Sequence, residues 1–322
     1  MHCMEFEPEI QQIDRITRET LSTTRGLARE VAGYIYQGGG KNLRSRLLLL
    51  AARSDAPFSR APLSEDEPFL RMAAGVEILH TASLLHDDVV DKAHTRRGRP
   101  SVNAHYGEDV AILMADLFFS LAFEIGVGLG NLEALALICR TTQRMCESEI
   151  YQIEKRNGIL TEGEYLKIIE SKTATLFATC AELGAILAGA SQERRAALAE
   201  FGRRVGMAFQ IADDTLDYTA SSDLWGKPVG NDLAQGKQTL PLVHVFEKAE
   251  PADRETLLHQ LRNGRSMESV MPLIHKYGGL EYAAEKARSW AQEAGEMVPT
   301  FAPDGAMEQF IAYCRFAVER AY

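Results

Sequence analysis

The chain has 322 residues, of which 46% are hydrophobic and 25% are charged, an ordinary composition for a soluble globular protein with a substantial buried core. The net charge of −10 argues against nucleic acid as a general partner, because proteins that bind it usually carry a basic balance. The five cysteines are scattered and lack zinc-ligand spacing, which argues against a disulfide scaffold and favours a reducing cytoplasm.

Helical periodicity dominates the first part of the chain, and alternating strand patterns are scarce. The triplet Gly38–Gly40 is expected to end a long first helix, and the proline-bearing segment 55–68 is expected to be a surface loop. Around these breaks the sequence predicts helices at 6–36, 43–52 and 69–91, followed by a loop at 92–100.

The rest of the chain is also predicted to be helical. Predicted helices cover 104–128, 132–156, 162–188 and 192–220, a loop covers 225–236, and shorter helices fill the remainder. No change of composition marks a domain boundary. The sequence therefore predicts a single all-α domain over residues 1–322.

The segment 111–130 is the best candidate for a membrane span, but Asp116 and Glu124 interrupt it. A spanning helix needs about 20 predominantly apolar residues, and acidic side chains at its centre are costly. The N-terminus carries acidic residues where a signal peptide carries basic and apolar ones. We therefore expect no transmembrane segment and interpret 111–130 as a helix buried among other helices.

Three carboxylates, Asp87, Asp88 and Asp91, follow the apolar run 76–85. On a helix, Asp87 and Asp91 share one face. Anions this close repel one another unless a cation lies between them, and Mg²⁺ typically takes carboxylate oxygens together with substrate phosphates. The arginines that follow are suited to a phosphate group. This segment predicts a metal and phosphate site.

The same spacing recurs at Asp213, Asp214 and Asp217, again at the end of an apolar helical run. A single cluster of this kind is also explained by a solvated helix end. Acids are unfavourable there, however, because the C-terminal end of the helix dipole is negative. Two such clusters therefore predict two facing carboxylate patches that hold several Mg²⁺ ions around one diphosphate.

From about Gly38 to its C-terminus, the chain resembles the trans-isoprenyl diphosphate synthases, or polyprenyl synthetases. The motifs that carry the resemblance are Gly39-Gly40-Lys41-x-x-Arg44, Glu77-x-x-His80, His86-Asp87-Asp88-x-x-Asp91, Arg96-Arg97-Gly98, Lys172-Thr173, Phe209-Gln210-x-x-Asp213-Asp214-x-x-Asp217 and Gly226-Lys227-Pro228-x-Gly230-x-Asp232-Leu233-x-x-Gly236-Lys237. The chain departs from the family pattern at Asn42 and Ser45, where arginine and proline are frequent. The resemblance implies the isoprenoid synthase fold, a helical bundle with a central cavity.

The resemblance implies a head-to-tail condensation in which an allylic diphosphate ionises and isopentenyl diphosphate attacks the resulting cation. The protein would stabilise the departing diphosphate by electrostatic preorganisation and metal Lewis acidity. Asp87, Asp91 and Asp213 are implied as direct Mg²⁺ ligands among the six acids. The implied allylic-diphosphate contacts are Arg96, Lys172, Lys227 and Lys237, and the implied isopentenyl diphosphate contacts are Lys41, Arg44, His80 and Arg97.

Thr173 and Gln210 are implied to direct their dipoles at the carbocation. Each also has a structural explanation, since Thr173 could bond its own helix backbone and Gln210 could be a buried structural amide. Each basic residue taken alone is likewise explained by a solvated surface charge, and only the order of the motifs assigns it a substrate.

A helix rises about 5.4 Å per turn, roughly the length of one isoprene unit. One turn before Asp87 the chain carries two small residues, Ala82 and Ser83. Short-chain members of the family commonly carry an aromatic residue at this level, so the resemblance implies a product longer than C15, with C20 the main rival. Floor candidates for a deeper pocket are Phe118, Phe119 and Phe123, which ordinary core packing explains equally well.

Other functions compete with this prediction. Non-catalytic synthase subunits usually lack an acidic cluster, and a class I terpene cyclase would not need Lys41, Arg44 and His80. Glu77-x-x-His80 is half of a di-iron site, but the sequence has no second ExxH. The family also implies a homodimer, with the helix near 111–127 as a candidate interface, and the apolar product implies transient contact with a membrane surface.

Overall fold

The computed structural model describes residues 6–37, 42–54, 67–156, 158–219, 230–263 and 266–319, and within them the predicted all-α class is confirmed. The chain first forms α1 (Glu7–Ser22), α2 (Leu27–Tyr36), α3 (Leu43–Arg53), α4 (Pro68–Val90), a hairpin of β1 (Thr95–Arg96) and β2 (Arg99–Pro100), α5 (Val102–Tyr106) and α6 (Glu108–Gly128). It continues with α7 (Leu132–Lys155), α8 (Glu162–Ile169), a π-helical segment (Glu170–Ala174), α9 (Thr175–Leu187) and α10 (Gln192–Thr219). It ends with α11 (Asn231–Ala234), α12 (Leu240–Lys248), α13 (Pro251–Asn263), α14 (Met267–Lys276), α15 (Gly279–Met297), a 3₁₀ turn (Val298–Thr300) and α16 (Asp304–Val318).

Two of the predicted helices are wrong in their extent because glycines break them. The helix predicted at 6–36 is the pair α1 and α2, since Gly26 adopts a φ of 56°, outside the helical region. The helix predicted at 104–128 is likewise divided at Gly107, which has a φ of 96°. Both breaks leave the helices that carry the acidic clusters intact.

Two of the predicted loops contain regular structure. The loop predicted at 92–100 includes the antiparallel hairpin β1–β2, in which Arg96 pairs with Arg99. Of the loop predicted at 225–236, residues 225–229 lie outside the described residues, and the short helix α11 occupies part of the remainder.

The chain divides into two compact units, and the first comprises Met1–Arg140, Thr179–Ala199 and Pro299–Phe310. Helix α4 packs along α6 and also against α1 and α3. Gly75 of α4 lies against Ile125 of α6, and His86 lies against Phe119, so the two helices run antiparallel. This pairing fixes the position of the first acidic cluster at the end of α4.

The second unit comprises Thr141–Ala178, Glu200–Val298 and Ile311–Tyr322. One apolar cluster joins α8, α10, α12 and α15 through residues that include Ile169, Ile211, Val243 and Ala287. A second cluster joins α12 to α13 and α14. Helix α10, which carries the second acidic cluster, is therefore held in a packed core. The prediction of one domain over the whole chain stays a prediction.

Helix α6 is long and apolar enough to cross a membrane by length and composition, and 39% of its most apolar window is buried inside the structure. Its buried face, with Ala115 and Phe118, packs on α4. On its other side Leu113 is 67% exposed and Val127 is 62% exposed. Core helices satisfy the same criterion, so α6 does not by itself indicate a span. The interpretation as a helix buried among other helices is correct for one face only.

Candidate active site

The first acidic cluster is formed by the last turn of α4. Asp87 and Asp91 are half-buried and lie one turn apart, with the Asp91 N–H donating to the Asp87 carbonyl at 2.8 Å. Asp88 is buried, and its Oδ2 accepts a hydrogen bond from Arg96 Nε at 2.7 Å. The donor set suits Mg²⁺, because two carboxylates share the accessible face while the third is already engaged. Within the described residues, no group of three or more His, Cys, Asp or Glu side chains converges into a preformed metal site.

The hairpin β1–β2 brings Arg96 to Asp88. Its two-residue turn consists of Arg97 and Gly98, with φ values of 52° and 73°. Positive φ at both positions is the geometry of a type I′ turn, which matches the twist of the flanking strands. A non-glycine residue in this region is uncommon, and such strain is concentrated at functional sites. The tight turn thus holds Arg96 beside Asp88, with Arg97 directly after it in the turn.

A second basic group in the same unit contains Arg44 and His80. Arg44 Nη1 lies 2.9 Å from His80 Nε2. A guanidinium can only donate, so Nε2 of His80 accepts and its Nδ1 carries the proton. Burial lowers the pKa of His80 well below its ordinary value, and the charges of Arg44, Arg96 and Arg97 lower it further. His80 is therefore neutral, and the predicted pocket residues Arg44, His80 and Arg97 lie within electrostatic reach of one another. Lys41 lies outside the described residues.

Ser45, one of the departures from the family pattern, anchors this group. Its Oγ donates to Glu77 Oε1 at 2.6 Å, and its backbone N–H donates to the same oxygen at 3.2 Å. Proline has no N–H and no hydroxyl, so it could make neither bond. Ser45 thereby ties the start of α3 to α4 one turn before His80.

Replacing His80 with glutamine is expected to flatten the acid dependence of stability. The unfolded chain takes up a proton at the ordinary pKa of 6.5, whereas the folded chain does not. The free energy of unfolding therefore falls as pH drops below 6.5, by up to about 1.4 kcal/mol per pH unit. Urea unfolding would give the free energy of unfolding at pH 7.5 and at pH 5.5. The difference between these two free energies should be about 1 kcal/mol smaller in the variant than in the parent.

The matched control for this measurement is His94→Gln, which removes an exposed imidazole from the same unit. Glutamine at position 80 can still accept a hydrogen bond from Arg44, so the contact itself is conserved. If the free energy of unfolding changed by the same amount between pH 7.5 and 5.5 in the parent and in His80→Gln, the assignment of a half-buried, neutral histidine would be contradicted.

The second acidic cluster ends α10 in the second unit. Asp213 is exposed, Asp214 is buried, and Asp217 is half-buried with its Oδ2 accepting the Asp232 N–H at 3.1 Å. Burial raises the pKa of the Asp214 carboxyl to about 8, and the charge of Asp232 adds to this, while hydrogen bonds from Tyr165 and Gln210 act in the opposite direction. The cluster therefore resembles the first, with the second acid engaged inside the protein.

A stripe along α10 explains how this arrangement forms. Gly202, Gly206, Gln210 and Asp214 follow one another at every fourth position and share one face. A Cβ on Gly202 would lie 2.6 Å from the Phe177 carbonyl oxygen, and one on Gly206 would lie 2.6 Å from the Cα of Ala174. Only glycine permits such close backbone contact. The contact draws α10 against the π-helical segment and sets Gln210 beside Thr173.

The π-helical segment carries the predicted residues Lys172 and Thr173, and such segments are frequent at functional sites. Lys172 Nζ forms an ion pair with Glu149 and lies 3.3 Å from Gln152 Oε1. Thr173 Oγ1 donates to Gln210 Oε1 at 2.7 Å. The predicted pair Thr173 and Gln210 is thus in direct contact.

Lys237, the remaining predicted cation of the second unit, lies near the second acidic cluster. Its Nζ is 3.8 Å from Asp232 Oδ1, and Asp232 in turn bonds Asp217 through its backbone N–H. Lys227 lies outside the described residues.

The predicted site residues therefore form one group in each unit. Sequence reasoning gave no role to Tyr165, Glu149 and Asp232, which contact the predicted residues. Asp232 lies in the motif that runs from Gly226 to Lys237, so the sequence does carry a signal for it. Tyr165 and Glu149 carry no sequence signal, because their partners lie far away in the chain.

The residues predicted to limit chain length lie along α4. Ala82 is fully buried, whereas Ser83 is half-buried with its hydroxyl bonded to the His80 carbonyl at 2.8 Å. The Phe119 ring lies 5.7 Å from the His86 ring and 6.4 Å from the Phe123 ring. Phe119 and Phe123 thus flank this part of α4, while Phe118 is fully buried core.

Comparisons with known proteins extend over nearly the whole chain. The family model described as polyprenyl synthetase matches residues 26–277. An octaprenyl diphosphate synthase from Haemophilus influenzae is 33% identical over 98% of this chain and 95% of its own length. A short chain isoprenyl diphosphate synthase from Methanothermobacter thermautotrophicus is 35% identical over 97% of this chain and 94% of its own length. A polyprenyl synthase from Caulobacter crescentus, solved with calcium and isoprenyl diphosphate, has a TM-score of 0.90 at 31% identity, over 98% of this chain and 96% of that one.

Proposed function

The chain belongs to the polyprenyl synthetase family, and we infer from this membership that it is a trans-prenyltransferase. It condenses isopentenyl diphosphate head-to-tail with an allylic prenyl diphosphate and makes an all-trans polyprenyl diphosphate. The observation that carries this function is the match to diphosphate synthases over nearly the full length of the chain. The presence of both acidic clusters and of the Arg44–His80 pair supports it over a cyclase or a non-catalytic subunit.

We propose that the reaction depends on Mg²⁺ and that Asp87, Asp91 and Asp213 are its direct ligands. When bound, the metal would act as a Lewis acid on the leaving diphosphate. The calcium and isoprenyl diphosphate in the Caulobacter protein support a site for a divalent cation and a diphosphate. In this proposal Asp88 keeps its hydrogen bond from Arg96, and Asp214 keeps its hydrogen bonds from Tyr165 and Gln210. Asp217 assists the ligands while its Oδ2 accepts the backbone N–H of Asp232.

We propose that the basic residues divide between the two substrates. Arg96, Lys172 and Lys237, together with Lys227, bind the allylic diphosphate. Arg44, Arg97 and neutral His80, together with Lys41, bind isopentenyl diphosphate, for which the planar guanidinium suits a phosphate. To bind the substrate, Lys172 must leave its ion pair with Glu149 and pair with the diphosphate instead. The charge of Lys172 is therefore neutralised by Glu149 until a diphosphate binds. Thr173 and Gln210 present their oxygen lone pairs to the developing allylic cation.

We propose that the product is longer than C15 and, against its main rival of C20, that it is longer than C20 as well. The match to an octaprenyl diphosphate synthase supports this, but the match to a short chain synthase has similar identity. Overall similarity therefore does not decide chain length, and Ala82 and Ser83 carry the proposal. Neither residue is large enough to block the face of α4 below Asp87.

Product sizing tests the function and the chain length together. The protein would be incubated with Mg²⁺, labelled isopentenyl diphosphate and, in turn, dimethylallyl, geranyl, farnesyl or geranylgeranyl diphosphate. We expect labelled products that grow beyond C20, and no products when EDTA removes the metal. Incorporation that stops at C15 or C20 would contradict the proposed length. No incorporation with any primer would contradict the function.

We also propose a homodimer that forms through the exposed side of α6. Ile112 and Leu113 are exposed at adjacent positions at one end of this side and Val127 is exposed at the other, and an interface there would remove these apolar side chains from water. None of the four described cysteines forms a disulfide, which supports a cytoplasmic location. The apolar product supports transient contact with a membrane surface. Sedimentation of the parent and a Leu113→Glu variant would test the dimer.

A further inference from the structure

A chain of hydrogen bonds in the second unit links the predicted residue Thr173 to Tyr165, which belongs to none of the sequence motifs. Thr173 Oγ1 donates to Gln210 Oε1 at 2.7 Å, and Gln210 Nε2 donates to Asp214 Oδ1 at 2.7 Å. Tyr165 Oη donates to the other carboxyl oxygen, Asp214 Oδ2, at 2.6 Å. Both oxygens of Asp214 therefore accept a hydrogen bond, and Tyr165 is 2% exposed.

The hydrogen bonds along this chain all run in one direction, toward Asp214. The Gln210 amide turns its NH₂ toward Asp214 Oδ1, which accepts the bond. The amide oxygen then faces Thr173, whose hydroxyl must donate its proton to it. The lone pairs of the Thr173 oxygen are left to face other groups. The orientation of two dipoles is thus set by the position of one buried carboxyl group, that of Asp214.

The aromatic ring and the hydroxyl of Tyr165 have separate roles. The ring packs in the apolar cluster with Ile168, Ile169 and Ile211, and a phenylalanine ring would pack there equally well. The hydroxyl makes the hydrogen bond to Asp214 and contributes nothing to the apolar contacts. A purely structural tyrosine would leave the geometry of Gln210 unchanged when its hydroxyl is lost.

We propose that Tyr165 is a positioning residue for the prenyl transfer. This inference rests on the proposed function, in which Thr173 and Gln210 stabilise the allylic cation. The Tyr165 hydroxyl holds Asp214 Oδ2 so that Oδ1 stays aimed at Gln210, and Asp214 in turn fixes the Gln210 amide and the Thr173 hydroxyl. Without this hydroxyl, the carboxyl group can rotate about its Cβ–Cγ bond, and the two dipoles lose their common orientation.

The expected consequence concerns the transition state more than the ground state. Preorganised dipoles stabilise charge that develops only as the allylic diphosphate ionises, so their loss lowers kcat with little change in KM. Removal of a partner that orients a catalytic group typically costs about ten- to a hundred-fold. We therefore expect Tyr165→Phe to lower kcat by about ten- to a hundred-fold and to change KM for isopentenyl diphosphate by less than about two-fold.

The matched control is Tyr218→Phe. Tyr218 is also buried in the second unit, and its hydroxyl lies 2.6 Å from Thr239 Oγ1, so this variant also loses one buried hydroxyl contact. Both variants should show a similar fall in Tm, but only Tyr165→Phe should show the fall in kcat. A Tyr165→Phe enzyme with the Tm of the control and a kcat within about two-fold of the parent would overturn the proposal.

A double-mutant cycle with Gln210→Leu tests the route by which Tyr165 acts. If Tyr165 works through the Gln210 amide, Tyr165→Phe should cost less than about two-fold in kcat once that amide is gone. The same fold loss in both backgrounds would overturn the proposal. The parent is assayed first: a parent that makes no product refutes the proposed function, whereas an active parent with an unaffected Tyr165→Phe refutes only the positioning role.

Discussion

Replacing Asp87 with asparagine is expected to lower kcat by about a thousand-fold or more at saturating substrate. The substitution keeps the shape of the side chain and removes the charge that the metal needs. Asp88 cannot take over, because it is buried and its Oδ2 already accepts the Arg96 hydrogen bond. Asp91 would remain as the single accessible carboxylate of this cluster, so the Mg²⁺ concentration needed for half-maximal rate should rise as well.

The control for Asp87→Asn is Glu19→Gln, which removes one negative charge from an exposed position on helix α1 of the same unit. Its kcat and its Mg²⁺ dependence should stay near those of the parent. Steady-state rates measured across a Mg²⁺ titration would compare the three proteins. If Asp87→Asn kept more than about a tenth of the parent kcat, Asp87 would not be an essential metal ligand.

The sequence was sufficient to predict the helices that carry the site. Helices α4 and α10 are long, and in each an apolar run leads to an acidic cluster, so their periodicity and their ends are both visible in the sequence. The break at Gly26 was missed because a lone glycine inside a helical pattern is tolerated, and only the backbone geometry reveals a positive φ. The π-helical segment has no periodic signature of its own, although it carries Lys172 and Thr173.

Contacts between distant parts of the chain could not be predicted in the same way. Ser45 and Glu77 are separated by 32 residues, and Tyr165 and Asp214 by 49. No local pattern links such pairs, and a buried tyrosine is usually part of the core. The glycine stripe of α10 was visible as spacing, but its purpose appears only when Gly206 is seen against Ala174. Candidate reacting groups can therefore be named from the sequence, whereas contacts such as that between Tyr165 and Asp214 cannot.

Replacing Ser83 with phenylalanine is expected to shorten the main product to C20 or less. The structure favours Ser83 over Ala82 for this test, because Ala82 is fully buried and a large side chain there would overpack the core. Ser83 is half-buried, and its hydroxyl bonds only its own helix. A phenylalanine on a helix leans toward the preceding turn, so it would cover the face of α4 near Leu79. That face is one helical turn, about 5.4 Å, farther from Asp87.

The product test uses two further variants of the same region. Ser83→Ala removes the hydroxyl without adding volume, and it should leave the product length unchanged. Phe119→Ala removes a ring that flanks this part of α4, and it should lengthen the product by at least about one isoprene unit if that ring limits growth. Chromatographic sizing of labelled products would compare the three variants with the parent. Since Mg²⁺ ligands and basic residues are unchanged, the rate of the first condensation should stay near that of the parent. An unchanged product length in Ser83→Phe, with that rate retained, would show that the chain does not grow along this face of α4.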